Sequence, residues 1–186
     1  MPHADSALVP DDIKTKREFY EHVEMGIVAL IEGQTYWVSN LANASALLYH
    51  SFLGCSLYGT TGDGEPVVNW SGFYIHPPEN VTTDSEAPLL LGPFNGRPAC
   101  QVINPRKGRG VCADAFVDAK TVVVPDVHEY PGHIACDGLT NSEIVVPLRN
   151  KKGTVVGVLD LDSTVKGTFD EDDRAGLERI AQLLAI

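Results

Sequence analysis

Four cysteines, Cys55, Cys100, Cys112 and Cys136, are the side chains best suited to covalent chemistry, and they stand 45, 12 and 24 positions apart. No C-x-x-C pair of the kind that closes a zinc site or a thioredoxin-like motif is present. In a reducing compartment such thiols are either small buried hydrophobes or working groups. Cys136 sits in PGHIACDGLTNSEIVVPL, with His133 three positions before it and Asp137 directly after it. The glycines there let backbone amides approach a ligand, and a loop position favours function. Cys112 falls in the first turn of a helix predicted to start near Val111, where the helix dipole and nearby Arg109 favour thiolate. Cys100 lies beside a strand and, taken alone, fits a core role; Cys55, in a glycine-rich loop, has the weakest case. A cysteine–histidine hydrolase pair needs one thiol, whereas three spaced cysteines suit redox chemistry. There one thiolate attacks, becomes a sulfenic acid, and is resolved by a second thiol as a disulfide that an external dithiol reduces.

Carboxylates form the second constellation. In VVGVLDLD, strand alternation puts Val156, Val158, Asp160 and Asp162 on one face. In SEIVVPL, Glu143, Val145 and Pro147 share a face, so an antiparallel hairpin brings Glu143 near the two aspartates. Lone carboxylates are mostly solvated, but the valines on the same face argue against full exposure. In a partly closed site, like charges and desolvation keep at least one carboxyl protonated near neutral pH, as a general acid or a receptor for an ammonium group. His128 and His133 have H-x4-H spacing but no third ligand in register, so no metal is expected.

The elements that must position these groups can be read from the pattern. EFYEHVEMGIVALIEG spaces Phe19, Val23, Ile27 and Leu30 as an amphipathic helix that Gly33 stops. A second helix is predicted from an N-cap at Asn40 through LANASALLYH, followed by the loop LGCSLYGTTGDGEP. NWSGFYI reads as a strand with Trp70, Gly72 and Tyr74 on one face. PLLLGPF and PACQVI read as strands about a turn at Asn95 and Gly96, with a prolyl loop, HPPENVTTDSEAP, before them. TVVVP is a strand, DVHEYPGHIACDGLT a long loop, and RNKKG the turn of the carboxylate-bearing hairpin. A last helix is capped by Asp170 and buries Leu177, Ile180, Ala181 and Leu184. This order implies an α+β fold, a mostly antiparallel sheet with helices packed against it. Residues 1–15 read as a polar lead and residues 16–186 as one domain.

The 186-residue chain has 44% hydrophobic and 21% charged residues, ordinary globular usage that excludes disorder. Its formal net charge of −11 repels phosphate backbones and anionic lipid, so neither nucleic acid nor membrane is an expected partner. Without a signal-like leader or an apolar run of membrane length, a soluble cytoplasmic protein is the expectation.

Taken in order, NWSGFY, LLLGPFNGRPAC, GRGVC, DVHEYPGHIACD, NSEIVVPL and GVLDLDS resemble the free methionine-(R)-sulfoxide reductases, enzymes built on a GAF domain. The resemblance runs from about Lys16 to the C-terminus. It implies thiol-dependent reduction of free L-methionine-(R)-sulfoxide, recycled by thioredoxin without metal or bound cofactor. It further implies Cys136 as the attacking thiol and Cys100 as the resolving thiol, with Cys112 as an alternative partner. Trp70 and Tyr74 would be the apolar walls of the substrate pocket, and Glu143, Asp160 and Asp162 its polar side. Two departures stand out: a longer LGCSLYGTTGDGEP, which adds Cys55, and about two extra residues between Cys100 and Cys112. A homodimer is compatible with the sequence. The rival expectation is a GAF sensor domain that binds a small ligand such as a cyclic nucleotide without catalysis.

Overall fold

In a computed structural model, residues 8–76, 87–134 and 137–186 are described. The predicted HPPENVTTDSEAP loop and Cys136 therefore lie largely or wholly outside the described residues. The elements run α1 (Lys16–Ile31), α2 (Trp37–Gly54), β1 (Val68–Ile75), β2 (Leu89–Gly96), β3 (Val102–Ile103), α3 (Val111–Asp118), β4 (Val122–Val124), β5 (Ser142–Arg149), β6 (Val155–Ser163) and α4 (Glu171–Leu183). The six strands make one sheet in the order β3-β2-β1-β6-β5-β4, and every neighbouring pair is antiparallel. The α+β expectation holds.

Strand alternation divides the interior in two. Phe73, Ile75, Ile144, Val146, Leu159 and Leu161 face a core packed by the apolar stripes of α1, α2 and α4. Trp70, Tyr74, Val145 and Val158 face a second, smaller core shared with Val111, Cys112 and Phe116 of α3. β1 is consequently buried on both faces along its whole length, which explains why its sequence is nearly all apolar or small.

Local chemistry sets the helix ends. Thr15 and Glu18 cap α1 reciprocally, and Gly33 follows the helix with φ of 71°, a conformation open to glycine at little cost. Asp170 and Asp173 form the same box at α4. Asp173, fully buried, also accepts from Tyr20 Oη at 2.9 Å and Tyr58 Oη at 2.5 Å and pairs with Lys16, fastening α4 to α1 and to the loop after α2. Within the polar lead, Val9 and Ile13 are buried in the larger core.

Three local expectations change. α2 begins at Trp37 with Tyr36 as N-cap, so Asn40 lies inside its first turn, where its side-chain amide donates to Gln34 O at 3.2 Å. Asn95 and Gly96 close β2 and do not form a turn, since pairing with β1 continues to Trp70↔Gly96 and the Asn95 amide donates to Ser45 Oγ of α2. Cys55 is buried in the larger core as the residue that ends α2.

Gly72 sits on β1 between cross-strand neighbours Phe94 and Asp160. A Cβ there would collide with Phe94 Cβ and with the Trp70 ring. Gly72→Ala is expected to cost about 1–3 kcal/mol through overpacking, lowering the thermal midpoint by about 2–4 °C per kcal/mol in a chain of this size. An unchanged midpoint in a thermal unfolding scan would contradict this.

Candidate functional site

A cavity of about 420 Å³ opens on the α3 side of the sheet. Trp70 and Tyr74 form its floor, their rings stacked at 5.9 Å, and Phe94 continues the stack beyond Trp70 at 5.5 Å. The Trp70 indole N–H donates to Arg97 O at 3.1 Å, which fixes the ring in the plane of the floor. These two aromatics converge because they occupy alternate positions on one strand face.

The carboxyl wall comes from the β5–β6 hairpin. Glu143 pairs with Asp162 across the strands, and Asp160 pairs with Val145 on one side and Gly72 on the other. Glu143 is 5% and Asp160 6% exposed, so both are removed from water, while Asp162 keeps some accessible surface. Burial is the largest cause raising all three pKa values. The Asp162 charge adds to it at Glu143, the Glu143 charge at Asp160, and the charges of Asp160 and Asp137 at Asp162. Asp160 and Glu143 lie side by side in this buried wall, where burial favours the neutral form of each. Burial likewise raises the Tyr74 phenol, which stays neutral.

Cys112 does not match its expectation. It lies in the first turn of α3, but its side chain is buried against Asp160 and Glu143. Burial first, and then the charges of those two carboxylates, push its pKa well above that of an ordinary thiol. Desolvation and neighbouring negative charge outweigh the helix dipole, and Arg109 forms no bond to it. Cys112 is a free thiol whose sulfur lies beside the Asp160 carboxyl. Cys100 lines the same cavity and is disulfide-bonded.

Several residues reach the site that pattern alone did not assign. His133 Nε2 lies 3.3 Å from Glu143 Oε2. Burial lowers its pKa, so the contact is read as a neutral imidazole beside a carboxyl group and not as an ion pair. His128 instead bonds Asn141 at 3.1 Å, so the two histidines of the H-x4-H spacing are separated. Thr140 lines the cavity with a buried hydroxyl that has no hydrogen-bond partner among the described residues. Asp137 accepts from Leu139 N at 3.1 Å and from the Asn69 amide at 3.3 Å, tying the loop after Cys136 to β1. Asp114 does the same for the wall carrying Arg106 and Arg109, accepting from Gly108 N at 2.6 Å and Tyr130 Oη at 2.7 Å. No spacing rule signals these contacts, since each depends on where two loops meet.

Cys112, Glu143 and Asp160 bring a sulfur and two carboxylate oxygens within 4.8 Å of one another, a donor set that could hold a small cation. Among the described residues no helix is long and apolar enough to cross a membrane.

Residues 17–186 match the GAF domain family. The chain is 40% identical to a free methionine-R-sulfoxide reductase of Saccharomyces cerevisiae over 98% of its own length and 92% of the relative's. It is 41% identical to one of Escherichia coli, over 90% and 88%. The solved structure of free methionine-R-sulfoxide reductase from Neisseria meningitidis in complex with its substrate superposes with a TM-score of 0.77 at 38% identity, covering 96% of this chain and 93% of that one. The protein thus belongs to the free methionine-R-sulfoxide reductase family, built on a GAF domain.

Proposed function

We propose that this protein reduces free L-methionine-(R)-sulfoxide to L-methionine, with thioredoxin as reductant and no bound metal or organic cofactor. The observation that carries the reading is one cavity with an aromatic floor, a wall of buried carboxyls and Cys100 on its lining. The aromatic floor suits the apolar methyl and methylene groups of the substrate. The carboxyls serve proton transfer and ammonium binding.

In the first event the Cys136 thiolate attacks the sulfoxide sulfur while the departing oxygen takes up a proton. Asp160, buried beside Glu143 on the cavity wall, is assigned that proton. Oxygen passes to the cysteine as a sulfenic acid, and methionine leaves. In the second event the Cys100 thiol displaces water from the sulfenic acid to give the Cys100–Cys136 disulfide. Thioredoxin's dithiol then restores both thiols and leaves oxidised. Per turnover one sulfoxide and one dithiol become one thioether, one disulfide and one water. What supports this pairing is that Cys100 is disulfide-bonded while Cys112 and Cys55 are free and buried. Glu143 and Asp162 are assigned to the substrate ammonium, which a closed acidic wall attracts.

The test is NADPH consumption with thioredoxin, its reductase and the free (R)-sulfoxide. Turnover is expected, and its absence together with tight binding of a cyclic nucleotide would replace the enzyme with a sensor. Cys100→Ser is expected to release about one methionine per chain in a single turnover but to recycle poorly; no methionine from that variant would overturn the division of labour.

A further inference from the structure

Seven arginines occur in the chain, and five are committed. Arg17, Arg97, Arg174 and Arg179 face carboxylates. Arg149 donates to the carbonyls of Gly153 and Ala119. The guanidinium groups of Arg106 and Arg109 bond to nothing among the described residues, and both residues belong to the wall of the cavity that holds Glu143, Asp160 and Asp162. Both are exposed at the rim of the cavity, in a chain with 25 acidic side chains for 14 basic ones and a net charge of −11. Two of them on one cavity is a distribution that asks for an anion.

Backbone bonds hold the turn that carries them. Arg106 N donates to Asn104 O at 2.8 Å and Arg109 N to Arg106 O at 3.1 Å. Between them, Lys107 pairs with Asp118, and Gly108 N is anchored on Asp114. The lysine thus takes the acids of α3, and the flanking arginines stay uncommitted.

We infer that Arg106 and Arg109 recognise the α-carboxylate of the substrate, an assignment that rests on the proposed reduction of a free amino-acid sulfoxide. A guanidinium presents paired N–H donors matched to a carboxylate, and it offsets the negative field that an anion meets on approaching this protein. With carboxyls for the ammonium and guanidinium groups for the carboxylate, the cavity complements a zwitterion. A residue inside a peptide, with its carboxyl converted to an amide, forfeits the second half.

The experiment compares free L-methionine-(R)-sulfoxide with its α-amide, using the full chain and the Arg106→Gln, Arg109→Gln double variant. Wild-type turnover of the free acid tests the underlying reduction by itself; without it, both reading and inference fall. Given turnover, the double variant is expected to lose about tenfold to a hundredfold in kcat/KM on the acid, mostly through KM. Its rate on the amide should stay near wild type, so the acid-to-amide preference collapses. The Arg106→Lys, Arg109→Lys variant should recover part of the preference. A parallel loss on both compounds would assign the arginines a structural role, and an unchanged KM for the acid would exclude them from recognition; either result overturns the inference.

Discussion

Cys136→Ser is expected to abolish methionine formation, by about three orders of magnitude or more, even in a single turnover supplied with excess dithiol. Cys112 is in the cavity, but burial first, and then the neighbouring carboxyl groups, push its pKa well above that of an ordinary thiol. A thiol in that state is a poor nucleophile at neutral pH. Cys55 lies in the other core, on the far side of the sheet. Cys100 is assigned to resolution, a step that follows oxygen transfer. The measurement is methionine released per chain after rapid mixing with the (R)-sulfoxide. A near wild-type burst from Cys136→Ser would move the nucleophile to Cys112 and refute the assignment.

The second large effect concerns the carboxyl wall, and it has two opposite signs. Glu143→Gln and Asp160→Asn are each expected to lower kcat/KM by about 10²–10⁴, the usual span for losing a positioned proton donor or its partner. Because the folded chain raises both pKa values, the protonated form persists near neutral pH and is lost as pH climbs. The wild-type rate should therefore fall on the alkaline side, and a rate independent of pH there would contradict a carboxyl proton donor. Linkage fixes the second sign. A carboxyl whose folded pKa is raised supplies stability that is fully present below its unfolded pKa and is lost as pH rises through the folded value. Each neutral variant is therefore expected to be more stable than wild type at pH 8, by about 1 kcal/mol or about 2–4 °C. That advantage should shrink towards pH 4. Equal activity and KM in both variants would remove the carboxyls from the mechanism.

Much of this site is legible in the sequence because it is written on strands. Period-two alternation places Trp70 with Tyr74 and Asp160 with Asp162, and the RNKKG turn sets the register that puts Glu143 opposite Asp162. The helices follow from apolar spacing and caps for the same reason: each signal is local. The misreadings occur where a local signal loses to packing. The position of Cys112 in a first helical turn suggests a reactive thiol, yet the carboxyls that suppress it lie about 30 to 48 positions further along the chain. Asn40 has the chemistry of an N-cap, but α2 starts three residues earlier, where Trp37 packs against the larger core. His133 and Thr140 reach the cavity from a long loop whose path no periodicity encodes.

The missing side chain at Gly72 governs what the cavity can admit. The Trp70 ring lies across that position, and Phe94 closes it from the neighbouring strand. The three-ring plate therefore has its depth set by an absence, and it works as a gauge of length. On the proposed reading, the methyl end of the substrate rests against the Trp70 and Tyr74 rings. A Cβ added at Gly72 would press on the Trp70 ring and on Phe94 and force the plate to shift, so a change in the length of amino acid accepted is expected to start at this glycine.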